Sequence, residues 1–265
     1  MYHRLTLIGC AAVAALVFGG AASAMAQQWG DLEMDFVLGD AFKAEKIVPD
    51  KDVAFCGKHP LFRENVVVDP ATKGVKNVAV YLLATPGKKV AVHPDYEKTA
   101  KDEVLLDNKD CRYEPHVLAL RTSNTLVLGN SDPIGHNMKA EFFNNPPFND
   151  LIPAGGKVKK TLKAAESAFV PVQCSIHGWM GSYVLIKDDP YVGISDEKGH
   201  LVIKNLPVGE HTFIVWQENT GYISKPVKVN GKATTWARGR MKVTIKPGAN
   251  KIGKVELTPE ALKLK

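Results

Sequence analysis

Short β-rich runs closed off by turn residues restrict this chain more than any other feature. Val66–Val68, Val78–Leu83, His116–Leu120, Thr125–Leu128 and Ser182–Ile186 are each a few residues long, with Gly, Pro, Asn and Asp between them. Runs of that length and punctuation read as strands. Sustained helical periodicity is absent from the sequence, and only Ala91–Lys101 and Pro259–Lys265 have short-helix character. The spacing predicts an all-β chain of sandwich architecture rather than alternating β and α units.

The first 26 residues read differently. Arg4 precedes an apolar stretch, Leu5–Phe18, too short to span a bilayer with ease, and Ala21–Ala22–Ser23–Ala24–Met25–Ala26 offers small-residue cleavage sites after Ala24 or Ala26. This predicts a bacterial-type secretory signal over residues 1–26 and a periplasmic or secreted mature chain. Leu7–Ile8–Gly9–Cys10 also resembles a lipoprotein cleavage box, which leaves lipid anchoring at Cys10 as the alternative. No later apolar run approaches membrane length, so no membrane span is expected. The formal charge of +6, or +5 once Arg4 leaves, comes from lysines spread along the chain rather than clustered with aromatics. A solvated basic surface, able to favour an acidic redox partner, fits better than nucleic-acid binding.

Cysteine arithmetic then narrows the chemistry. Of the cysteines at 10, 56, 111 and 174, the first leaves with the signal, and three remain. An odd thiol in an oxidising compartment needs an occupation. Pairing Cys56 with Cys111 leaves Cys174 free, whereas either other pairing would break the run around Cys174. Closing the Cys56–Cys111 loop is worth about 4 kcal/mol in the chain-entropy account.

Cys174 lies in Val172–Gln173–Cys174–Ser175–Ile176–His177–Gly178–Trp179–Met180, where a thiol, an imidazole and a thioether fall within seven residues. One-electron copper sites favour a trigonal pair of histidines and a thiolate with a weak axial thioether. Cys174, His177 and Met180 supply three of these on one loop between two strands. His136, after the strand at Thr125 and the turn Asn130–Gly135, is placed to supply the fourth from another strand.

Residues Arg112–Lys187 resemble a cupredoxin, closest to the amicyanin and plastocyanin group. Tyr113–Glu114–Pro115–His116–Val117–Leu118–Ala119–Leu120 is similar to that family's aromatic-Pro strand, and Asn130–Ser131–Asp132 with His136–Asn137 to its first ligand loop. Cys174-x-x-His177-x-x-Met180 has the short amicyanin spacing, and Gly181–Ile186 resembles the closing strand. The resemblance implies one mononuclear type 1 copper held by His136, Cys174, His177 and Met180. It implies a one-electron carrier without substrate chemistry, served by a dehydrogenase or cytochrome, with a link to amine oxidation of the methylamine-utilisation kind. Asn137 would stand behind the ligands, its amide tying the His136 strand to the Cys174 loop. The His177 ring would lie nearest solvent, within an apolar docking patch of Pro133, Ile134, Gly178 and Trp179. The chain departs from the family at Val172, where an aromatic is common, at Ser123–Asn124, in place of a Gly-Asp turn, and over Thr161–Ala168. These departures bear on potential and partner more than on ligands.

Beyond Lys187–Asp188–Asp189–Pro190 the pattern changes. Asp196–Glu197–Lys198–Gly199 and Leu206–Pro207–Val208–Gly209 read as tight turns joining three strands into a meander. About thirty residues here resemble the transthyretin-like sandwich of carboxypeptidase regulatory-like domains, which implies a non-catalytic module. The expected organisation is therefore a cupredoxin Greek-key β-sandwich over 27–187, with its copper core at 112–187, and a smaller transthyretin-like β-sandwich over 188–265. The stretch 36–84 fits either as opening strands of the first or as strands lent to the second, and the sequence leaves both open.

Each residue also has a plainer reading. Cys174 alone is an inert thiol, His136 a turn histidine, Met180 core filler, and His116 a satisfied structural histidine. Zinc would suit one Cys and two His but prefers more thiolates in a structural site. A thiol enzyme with His177 as base lacks an orienting group and an oxyanion pocket nearby. A non-catalytic envelope binding protein with a metal-stabilised or degenerate cupredoxin domain is the remaining alternative.

Overall fold

The computed structural model describes residues 27–85 and 87–264. The signal-peptide and Cys10 expectations lie outside the described residues. No helix among the described residues is long and apolar enough to cross a membrane. The chain is all-β, and its strands form two β-sandwiches.

One sandwich is built from both ends of the chain. Trp29–Leu38 buries every second residue, as expected of a strand with one face on a core. It pairs antiparallel with His200–Pro207 and parallel with Gly248–Leu257. The facing sheet places Ala79–Leu82 between Val192–Ile194 and Gly209–Gln217, with Arg240–Ile245 on the outer side of the latter. Leu32, Met34, Phe36, Phe213, Val215 and Leu257 meet in the core between the sheets. Within the stretch 36–84, left open from sequence, Ala79–Leu82 pairs with Val192–Ile194 and Gly209–Gln217. Expectation and structure differ on the turns. Val192–Ile194 and Gly209–Gln217 belong to one sheet and His200–Pro207 to the other, so both turns cross between sheets instead of closing a meander. Gly193 shows why: a Cβ there would stand 2.6 Å from the Leu201 side chain, because the two strands stack face to face.

The second sandwich runs from Glu103 to Lys187. One sheet has the order Phe148–Ile152, His136–Ala140, Val170–Gln173, Gly181–Lys187, Val117–Arg121, and the other Lys157–Thr161, Thr125–Asn130, Glu103–Lys109, Arg112–Glu114. Each sheet has one parallel pair, Gly181–Lys187 with Val117–Arg121 and Glu103–Lys109 with Thr125–Asn130. Parallel neighbours cannot be joined by a hairpin, so the chain must cross over between sheets. His136–Ala140 and Val170–Gln173 pair antiparallel, which brings the start of the one and the end of the other to one rim. The sandwiches pack through Ala79, Tyr81, Ile214 and Trp216 on one side and Val117, Phe169 and Leu185 on the other. Phe169 and Trp216 stack at 4.0 Å between ring centroids.

Helix is scarce, as expected, but differently placed. Ala91–Lys101 contains only the 3-10 turn Pro94–Thr99, and Pro259–Leu264 forms turns. A short α-helix, Val53–Cys56, appears where none was expected.

Candidate metal centre

His136 opens a strand at the sandwich rim, and Cys174, His177 and Met180 occupy the loop between Val170–Gln173 and Gly181–Lys187. The loop folds on itself: Met180 N–H donates to the His177 carbonyl at 2.9 Å, and Cys174 N–H to the Met180 carbonyl at 3.3 Å. His177 N–H points at Cys174 Sγ, 3.4 Å away. The result brings one ligand atom each from His136, Cys174 and His177 within 4.8 Å of one another. All are buried, at 0 %, 4 % and 0 % exposure. A second such group, Cys111 with Asp132 and His136, offers no thiolate, because Cys111 is bonded to Cys56.

The two imidazoles are held alike. His136 Nε2 lies 2.9 Å from Asp132 Oδ2, and His177 Nε2 lies 2.8 Å from Asp52 Oδ2. With each Nε2–H donated to a carboxylate, the other nitrogen keeps its lone pair. His136 Nδ1 is buried with no hydrogen-bond partner, and His177 Nδ1 stands 3.8 Å from Cys174 Sγ. A buried, unpartnered imidazole nitrogen is costly unless something accepts its lone pair. A buried thiol, one such nitrogen at His136 and the His177 Nδ1 beside the thiol fit a soft or borderline metal ion.

The thiol is shifted toward its thiolate. Burial pushes the Cys174 pKa up, but the neighbouring His136 ring and the backbone N–H of His177 outweigh it and bring the value down to about 6. Burial pulls His136 down, while Asp132 and Cys174 raise it by more. Asp132 is held below its ordinary value despite burial, by His136 and by the N–H groups of Cys111 and Asp110.

Asn137 connects the two ligand elements. Its Oδ1 accepts from Ser175 N–H at 2.7 Å and Ile176 N–H at 3.3 Å, and lies 3.4 Å from Cys174 Sγ. Its Nδ2 donates to Asn149 Oδ1 at 2.8 Å. Met180 is buried in the same apolar cluster as Cys174.

The docking patch is where expectation and structure part. His177 does not lie at the surface; it has 0 % exposure. Asp52 and the helix Val53–Cys56 lie on this side of the centre, pinned by the Cys56–Cys111 disulfide with a Cα–Cα distance of 5.6 Å. Trp179 and Ile134 are half-buried against Cys56, Leu61 and Cys111, and Trp179 Nε1–H donates to the Cys111 carbonyl at 3.1 Å. Only Pro133 and Gly178 of the patch are exposed. The covering comes from a segment far earlier in the chain, so no pattern around His177 could announce it.

Sequence reasoning also missed both carboxylates. Asp132 stands four residues before His136 in the quoted ligand loop, and that spacing was the available signal. Asp52 lies 125 residues from His177 and carried none. Away from the centre, His116 is buried at the sandwich junction, hydrogen-bonded through Nε2 to Glu218, with Glu64 3.7 Å from Nδ1.

No protein-family model matches the chain, and no curated protein matches it. Solved structures do. A copper-containing nitrite reductase from Thermus scotoductus SA-01 aligns at 18 % identity and TM-score 0.29, covering 40 % of this chain and 25 % of the other. The chain therefore spans about a quarter of that enzyme's length. A purple cupredoxin from Nitrosopumilus maritimus aligns at 18 % identity and TM-score 0.27, over 33 % of this chain and 100 % of that one. A Cu(I) amicyanin variant aligns at 15 % identity and TM-score 0.29, over 41 % and 98 %.

Proposed function

We propose that this chain is a periplasmic type 1 copper protein acting as a one-electron carrier. One observation supports this most: a ring nitrogen of His136 and one of His177 lie within 4.8 Å of a single buried thiol, and each ring is fixed from behind by a carboxylate. His136, Cys174, His177 and Met180 would hold the copper, which would supply one-electron exchange between its +1 and +2 states. The chain's own part is to keep that change cheap. Cys174 with a pKa near 6 is already a thiolate at neutral pH, so binding needs little proton release. Asn137 holds the loop that carries the thiolate, and the tautomers of His136 and His177 are set in advance by Asp132 and Asp52. Burial keeps water from the ligand atoms, which limits rearrangement between oxidation states.

The transthyretin-like reading of the sandwich built from both ends of the chain belongs to the same proposal, as a non-catalytic module that docks the carrier to a dehydrogenase or cytochrome. The test is the visible spectrum of copper-loaded, oxidised protein. An intense thiolate-to-copper absorption, absent in Cys174→Ser, is expected; a colourless loaded protein overturns the carrier reading.

A further inference from the structure

The side of the centre expected to face solvent is occupied by a loop from outside the ligand-bearing sandwich. Its ends are tied together: Lys46 bridges Phe62, Ile47 N–H donates to the Leu61 carbonyl at 2.9 Å, and Arg63 N–H donates to the Glu45 carbonyl at 2.9 Å. Its middle is tied to the sandwich by the Cys56–Cys111 disulfide and by Leu61 packed with both cysteines. Between these anchors Asp52 adopts φ 46° and ψ 39°, a left-handed conformation uncommon for a residue with a side chain and more tolerable for Asp than for most. The backbone N–H groups of Phe55 and Cys56 both donate to the Asp52 carbonyl at 2.9 Å, so the helix start holds that conformation. The carboxylate then reaches His177 Nε2 at 2.8 Å.

We propose that the loop 46–62 is a positioning strap for the metal centre, with Asp52 as the residue that acts. Asp52 accepts the Nε2 proton of His177, which fixes the ring in the tautomer whose Nδ1 lone pair faces Cys174, and the strap closes the ring off from solvent. The disulfide does not merely stabilise the fold; it holds the strap on the rim. Cys56 and Asp52 sit at the two ends of one helical turn, so the covalent bond to Cys111 sets where the carboxylate lies. Carboxylate, imidazole and metal in series are the arrangement by which an outer group orients a ligand. Its source here is a segment outside the ligand-bearing strands, and this is what makes Asp52 a separate part. The covered ring also means that a partner meets His177 only across the strap, not by direct contact. The inference rests on the copper reading of His136, Cys174 and His177.

The experiment has two arms, so that the strap and the copper reading fail separately. In metal-free protein at pH 8, nitrogen-15 NMR of the His177 ring reports which nitrogen carries the proton. Diethyl pyrocarbonate labelling, mapped by mass spectrometry, reports whether the ring is covered. The parent is expected to show Nε2–H and a protected His177, and Asp52→Ala to lose the single tautomer and label at least tenfold faster. Asp52→Asn, which keeps an acceptor oxygen and tolerates the left-handed conformation, should restore protection. In the second arm, Cu(I) affinity by chelator competition should fall about 10- to 100-fold in Asp52→Ala and recover in part in Asp52→Asn. An Nδ1–H tautomer or a freely labelled His177 in the parent overturns the strap without any variant. Parent-like copper affinity in Asp52→Ala overturns it while leaving the copper reading intact. A parent that binds no Cu(I) overturns the copper reading, and the first arm still decides whether Asp52 sets the ring.

Discussion

Two buried clusters each set histidine against carboxylates, and they differ in what the second ring nitrogen meets. At the candidate metal centre His136 and His177 give Nε2 to Asp132 and Asp52, and a ring nitrogen of each lies within 4.8 Å of the Cys174 thiol. At the sandwich junction His116 gives Nε2 to Glu218, and its Nδ1 looks toward a second carboxylate, Glu64, at 3.7 Å. Burial alone would lower the His116 pKa, but Glu218 and then Glu64 raise it above its ordinary 6.5. Burial raises Glu64, against the pull of His116 and Arg112. The same ingredients thus produce a charge pair between two modules in one place and a lone-pair cage in the other. The sulfur decides between them, because an imidazole with carboxylates on both sides is stabilised as the cation and so withholds its lone pair.

Five measurements separate the two clusters. Cys174→Ser has the largest effect, complete loss of the visible copper absorption. Copper titration of the parent should then saturate at one equivalent; a second tight equivalent that vanished in His116→Ala would mean that both clusters bind metal. His116→Ala should leave the absorption band in place yet destabilise the fold by about 3 kcal/mol or more in urea unfolding, since two half-buried carboxylates lose their counter-charge. A spectrum lost along with stability would show that the two clusters are one unit. Asp132→Asn should lower copper affinity by about 10-fold or more, as expected of a partner behind a ligand, and an unchanged affinity would remove Asp132 from the centre. The smallest effect is on pH dependence. His116 is raised in the folded state, so its stabilisation is complete below pH 6.5 and fades as pH rises through the folded value. Stability curves of the parent and His116→Gln should therefore converge above neutrality, and a gap that widened with pH would reverse the assignment.

Legibility in the sequence followed distance along the chain. Cys174, His177 and Met180 share one loop, so a candidate donor set could be read from their spacing, and His136, which the structure brings within 4.8 Å of Cys174 and His177, stood beside Asn130–Ser131–Asp132. The Cys56–Cys111 pair followed from parity and from the need to spare Cys174. The strands Thr125–Asn130 and Gly181–Lys187 followed from short apolar runs. Asp196–Gly199 was recognised as a turn but not as a crossing between sheets, because a turn motif specifies local backbone and not the strand that receives it. The docking patch failed for a related reason: the residues around His177 contain no information about Val53–Cys56.

By itself, then, the sequence determined that the chain is all-β and that a lone thiol stands three residues from an imidazole and six from a thioether. Alternation, turn chemistry and loop spacing are local, and they act whatever the rest of the chain does. Only the tertiary structure decided that Trp29–Leu38 and Ala79–Leu82 pair with the C-terminal strands, and that His177 lies buried beneath Asp52. Those outcomes depend on sheet pairing and on a disulfide joining residues 55 positions apart, and long-range closure of that kind leaves no periodic mark on the residues it brings together.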